Sequence, residues 1–93
     1  MSLSLGSPTA KTPISVTATP QAITLSHGLI SLELQNVGIS DCYFGDINVT
    51  PTNGGVIYSA GDRKTWENLP SNWTVYVCTD AGKTTNLKRI DYV

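Results

Sequence analysis

Between residues 14 and 92 apolar and polar side chains alternate in short runs, with turn residues about every 8–12 positions. The clearest run is Leu29 to Asn36. Period two puts Ile30, Leu32 and Leu34 on one face and Ser31, Glu33 and Gln35 on the other, the mark of a half-buried antiparallel strand. Trp73 to Thr79 repeats the pattern, with Trp73, Val75 and Val77 opposed to Thr74, Tyr76 and Cys78. Shorter strands are predicted over Ile14–Ala18, over Val56–Tyr58, and over Asp41–Gly45, where Cys42 and Phe44 share a face. Arg63–Glu67 reads as a polar strand near a sheet edge that carries Trp66. Thr84–Tyr92 is the last strand, and the phase change between its anchors Leu87 and Ile90 predicts a bulge.

The punctuation is equally plain. Asn36-Val37-Gly38 ends the first long run, and Leu69-Pro70-Ser71-Asn72 is a loop. Asn53-Gly54 tolerates positive φ and predicts a tight hairpin turn. Ala60-Gly61-Asp62 and Asp80-Ala81-Gly82-Lys83 are further turns. Seven or eight short strands so spaced predict an all-β chain, a single small antiparallel β-sandwich or jelly-roll-like barrel. No internal repeat and no helical period is visible.

Length and composition narrow this picture. With 93 residues the chain holds one domain. Residues 1–13 are Ser/Thr/Pro/Gly-rich without an apolar period, so they are expected to form a flexible N-terminal arm on a domain spanning 14–93. Pro8, Pro13 and Pro20 exclude helix there. Charged residues make up 14% against about 25% in an average domain, which fits a surface covered by neighbours or a neutral Thr/Ser/Asn surface. The net charge of −1 comes without a basic stripe, so no nucleic-acid partner is expected. No apolar run is long enough to cross a bilayer as a helix, and no secretory signal pattern opens the sequence, so neither a membrane partner nor secretion is expected.

Catalytic chemistry has few players. His27 is the sole histidine and sits in a turn, where an imidazole is usually just solvated. Cys42 and Cys78 lie in apolar strand contexts, which favours inert buried thiols. A bridge between them would instead close a loop of about 36 residues, worth roughly 3–4 kcal/mol. Two Cys and one His lack zinc-ligand spacing. Asp41, Asp46 and Asn48 could offer oxygens to calcium, but turn Asp and Asn more often bond their own backbone. Ala81-Gly82-Lys83-Thr84 looks like the tail of a phosphate loop, without the upstream Gly or a following helix. Asn48-Val49-Thr50 and Asn72-Trp73-Thr74 match the glycosylation pattern, which carries no weight without a secretory signal. The expectation is a non-enzyme without a cofactor or metal. Among seven aromatics, Trp66, between Thr65 and Glu67, is the one expected at the surface. With Tyr58 and the arm residues Leu3 and Leu5, it is a candidate protein-interface anchor.

One resemblance adds to this. Leu34-Gln35-Asn36-Val37-Gly38, Cys42-Tyr43-Phe44-Gly45, Val49-Thr50-Pro51-Thr52-Asn53-Gly54-Gly55, the Ala60-Gly61 turn and Val75-Tyr76-Val77-Cys78 with Asp80-Ala81-Gly82 occur in that order. This order resembles small β-sandwich proteins of tailed-bacteriophage virions, across residues 14–92. It departs from them at Ala60-Gly61, where Pro-Gly is expected, and around Leu69-Pro70. The resemblance implies a virion structural protein, a capsid decoration or cement protein or a head–tail or fibre component. Such a protein is assembled in the host cytoplasm, forms a homo-oligomer and binds capsid or tail proteins. The alternative is a carbohydrate-binding β-sandwich module with a glycan partner, which predicts exposed coplanar aromatics.

Overall fold

The computed structural model describes residues 7–93, and every regular element in it is a strand. In chain order these are β1 (Pro8–Ala10), β2 (Ile14–Val16), β3 (Gln21–Thr24), β4 (Leu29–Asn36), β5 (Cys42–Gly45), β6 (Gly55–Ile57), β7 (Arg63–Leu69), β8 (Thr74–Cys78) and β9 (Thr85–Tyr92). The pairings nest. β5 pairs with β6, β4 with β7, β3 with β8 and β2 with β9, all antiparallel. The chain is therefore one long ribbon doubled back at the β5–β6 hairpin. Rolling that ribbon adds the β4–β9 and β5–β8 ladders and closes two sheets, β2-β9-β4-β7 and β3-β8-β5-β6. This is the strand order of a jelly roll. The all-β sandwich expected from the spacing is the fold observed.

The core lies between the sheets. Val16, Leu32, Leu34 and Leu87 come from one sheet, and Ile23, Cys42, Ile57, Val75 and Val77 from the other. Leu25, Leu29 and Leu69 close one end. Each fully buried aliphatic side chain contributes about 1.5–3 kcal/mol.

Residues 8–10, expected within the arm, form β1 instead. Pro8, Thr9 and Ala10 pair with Tyr92, Asp91 and Ile90. All three side chains are exposed, so backbone hydrogen bonds hold this strand rather than burial. The bulge predicted in β9 is also relocated. β9 pairs with β4 in unbroken register from Ser31↔Tyr92 to Asn36↔Leu87. The extra residue sits across the edge, where residues 11–13 between Ala10↔Ile90 and Ile14↔Leu87 face only two residues of β9.

Two further expectations are corrected. Ile30, assigned to the face of Leu32 and Leu34, is 40% exposed, whereas Leu29 is buried and Ser31 is 1% exposed. The β4–β7 ladder skips the Ile30–Asn68 pair, and Asn68 has φ 57°, so the inward phase shifts by one there. The Asn53-Gly54 turn is not a tight one. Residues 46–54 form a long connection in which the Asn53 side chain binds the Thr50 amide (2.8 Å) and the Asn48 carbonyl (3.2 Å), and neither residue has positive φ.

Glycine matters here for closeness. Gly55 pairs with Phe44, and a Cβ at Gly55 would overlap the Phe44 ring. The tip of the ring occupies the space a side chain would need there, a device that shields a strand glycine. Gly55→Ala is expected to cost about 1–3 kcal/mol through overpacking. A thermal melt should show a loss of several degrees; an unchanged midpoint would mean the ring moves aside freely.

Candidate functional site

The β2–β3, β4–β5, β6–β7 and β8–β9 connections gather at one end of the sandwich. Asn36, the last residue of β4, organises them. It is fully buried, and its side chain uses all four of its hydrogen-bonding positions. Nδ2 donates to the carbonyls of Ser40 (2.8 Å) and Ile57 (2.9 Å). Oδ1 accepts from the Gly38 amide (3.1 Å) and the Thr85 hydroxyl (2.7 Å). Gly38 is pressed against Thr85 so closely that a Cβ there would overlap its hydroxyl.

The neighbouring loop is equally fixed. The Asp62 carboxylate accepts from the Tyr58 amide (3.0 Å) and the Arg63 amide (2.9 Å), and Asp41 accepts from the Ser59 amide (2.9 Å). Ala60 and Gly61 take φ 67° and 113°, and the Gly61 amide donates to the Asn36 carbonyl at 2.8 Å. On this ordered backbone three large apolar side chains face solvent. Ile39 is 94% exposed, Tyr58 60% and Val37 45%. Beside them lies an open groove of about 230 Å³ lined by Ile39, Ser40, Asp41, Ser59, Asp80 and Lys83. The Tyr43 hydroxyl donates to Asp80 at 3.2 Å. Desolvation first, and then Asp80, push the Tyr43 phenol above its ordinary pKa.

Tyr58, chosen from the sequence, thus belongs to this surface. Trp66 does not. It packs half-buried against the core, edge-on to Phe44 at 5.3 Å and beside Trp73 at 5.5 Å, with the Lys64 ammonium 5.7 Å above its ring. Period two explains it: Thr65 and Glu67 point out, so Trp66 points in. Leu3 and Leu5 lie outside the described residues. Among the described aromatics only Tyr58 is exposed, so no coplanar aromatic platform is formed. Val37 and Ile39 were missed because they sit in a turn. Their signal is two apolar residues flanking Gly38, where a turn would ordinarily be polar.

A second concavity, of about 210 Å³, opens at the opposite end, between the β3–β4 turn and the β1–β9 edge. Arg89 and Asp91 share the inner face of β9 with Leu87. Asp91 is 2% exposed, and both its oxygens are held by Arg89, Nε to Oδ1 at 2.8 Å and Nη2 to Oδ2 at 3.1 Å. Lys11 Nζ is 4.0 Å from Oδ2. Ser26 and His27 form the facing wall, with Ser26 Oγ 3.2 Å from His27 Nδ1. A serine and a histidine so placed lack a free carboxylate to orient the imidazole, because Arg89 occupies the one present.

The thiols are inert. Cys42 pairs with Ile57 on the inner face of its sheet, whereas Cys78 pairs with Tyr43 on the outer face, which separates the two sulfurs across the sheet. Both are free and buried. Burial first, with the nearby Cys78 adding to it, pushes the Cys42 thiol up to about 12, and burial and Asp80 raise Cys78. Neither forms a useful thiolate near neutral pH. The turn carboxylates bond backbone, Asp41 to Ser59 and Asp46 to Asn48 at 2.9 Å each. Among the described residues no group of three or more His, Cys, Asp or Glu is placed to share a metal ion.

No protein-family model, characterised protein or solved structure matches the chain.

Proposed function

We propose that this is a non-enzymatic structural protein that works by association, docking through the loop end that carries Val37, Ile39 and Tyr58. One observation carries the reading: large apolar side chains stand in solvent on loops whose backbone is pinned by Asn36, Asp41 and Asp62. Large apolar side chains exposed on loops at one end of a domain mark contact sites, and a backbone already fixed loses little entropy on binding. The occupant is a second copy of the chain in a homo-oligomer, and through that assembly a capsid or tail protein of a virion. The order of turn and strand motifs over residues 14–92 supports the virion setting. A decoration, cement or head–tail component assembled in the host cytoplasm is the finer form of the proposal.

Ile39→Asp combined with Tyr58→Ala tests it. Central apolar anchors are each worth about 2 kcal/mol or more, so sedimentation equilibrium should show self-association weakened by about 100-fold or more. Both positions are exposed, so stability should change by no more than about 0.5 kcal/mol. Undiminished self-association in the double variant would refute the assignment. The glycan-binding alternative finds no aromatic platform; the polar cleft at the other end gives it a different basis.

A further inference from the structure

We propose that the cleft between the β3–β4 turn and the β1–β9 edge binds a small carboxylate carried on a hydroxylated skeleton, a sugar acid. This stands apart from the loop-end reading, because it uses the opposite end of the sandwich and none of the same residues.

The charge balance gives the sign of the ligand. Asp91 is the sole acid among the lining residues, and it faces two cations, Arg89 and Lys11. One positive charge is left over in the cleft. Glu33 does not cancel it, since it lies on the outer face of its sheet, 3.7 Å from Arg63. Asp91 fixes the Arg89 fork by a two-point contact. Among the described residues no further acceptor takes the guanidinium's remaining three N–H groups. A planar carboxylate suits such an edge. Lys11 is brought alongside by the edge strand: its amide donates to the Arg89 carbonyl at 3.1 Å, at the start of the bulge at residues 11–13. The irregular edge thereby aims an ammonium into the cleft.

The other wall gives the skeleton. Ser26 presents a hydroxyl and His27 an imidazole, the Thr24 hydroxyl being paired with that of Thr74 at 3.0 Å, while the one apolar lining residue, Leu25, is 1% exposed. A protein side would need apolar contact around the charge, and the cleft offers almost none. A ligand rich in hydroxyls fits it. The volume of about 210 Å³ falls below the roughly 300–1,000 Å³ of drug-sized sites, so it takes one sugar ring and not a chain of them.

The test is a titration of the full chain followed by amide and side-chain NMR, with D-glucuronate, D-glucose, acetate and N-acetyl-glutamate amide as probes. Glucuronate is expected to shift Lys11, Ser26, His27 and Arg89 saturably. Acetate and the glutamate derivative should bind at least about tenfold more weakly, and glucose should leave these signals unmoved. Removing Arg89 risks the fold, so the variant is Lys11→Gln at a half-exposed position, which should weaken glucuronate about threefold to tenfold. The proposal is overturned by the absence of a saturable shift with glucuronate, by equal binding of glucose, or by an unchanged affinity in Lys11→Gln. If the glutamate derivative or acetate binds as tightly as glucuronate, the sugar-acid assignment fails and the cleft is a socket for a protein's acidic side chain.

Discussion

Asn36→Ala is expected to destabilise the domain by about 3–5 kcal/mol. Each of four hydrogen bonds contributes about 1 kcal/mol net, and the buried partners left behind cost more than the bonds themselves. The Ile57 carbonyl and the Thr85 hydroxyl are the worst placed, because both residues are buried. A domain of 93 residues holds only about 5–14 kcal/mol in total, so this one change removes a large share. Urea unfolding would measure it. Thr85→Val removes a single bond and should cost about 1 kcal/mol. The Asn36 variant should also loosen the turn from Val37 to Asp41, which disturbs the docking surface along with the fold. A loss below about 1 kcal/mol would mean that the loops are held by their own turns rather than by Asn36.

Arg89→Met is the second large effect, with an expected loss of about 3–5 kcal/mol. It leaves Asp91 opposite Leu32 on the inner face, 2% exposed, with only Lys11 at 4.0 Å as a counter-charge. The pair itself is a different matter. Removing both charges, as Arg89→Met with Asp91→Leu, should restore most of the loss, since a buried ion pair gains little over apolar packing once its desolvation is counted. The two variants are compared by their denaturation midpoints. A single variant as stable as the parent would show that water reaches Asp91 freely; a double variant as unstable as the single would show that the pair is worth more than its geometry suggests.

Seven of the nine described strands were legible in the sequence because period two survives wherever one face is buried; β1, with no buried residue, and β3, with one, were not. β5, β7 and β8 follow their alternation, and β4 does from Leu32 onward; Trp66, expected at the surface, points inward because that same alternation gives Thr65 and Glu67 the outward positions. Errors arose where a tertiary feature changes the phase. Ile30 turns outward because Asn68, on the partner strand, adopts φ 57°. No local signal in β4 reports that. The apparent phase change in β9 had another origin. Arg89 and Asp91 occupy inward positions of a regular strand, and each makes the other tolerable there. Hydrophobicity alone reads such a pair as outward-facing and so invents a bulge. The cleft was hidden for the same reason, since Lys11, Ser26 and Arg89 are far apart in the chain. On the loop end, Tyr58 was legible as an aromatic beside a turn. Val37 and Ile39 were not, because a turn has no period against which exposure can be judged.

Hydroxyl-radical footprinting of the wild-type chain, at dilute and at high concentration, tests the central claim most directly, because it reads side chains one by one. Association through the loop end predicts that Val37, Ile39 and Tyr58 lose labelling as concentration rises, while exposed Ile47 and Val93 keep theirs. Equal labelling of Ile39 and Tyr58 at both concentrations, or protection confined to Ile47 and Val93, would contradict it.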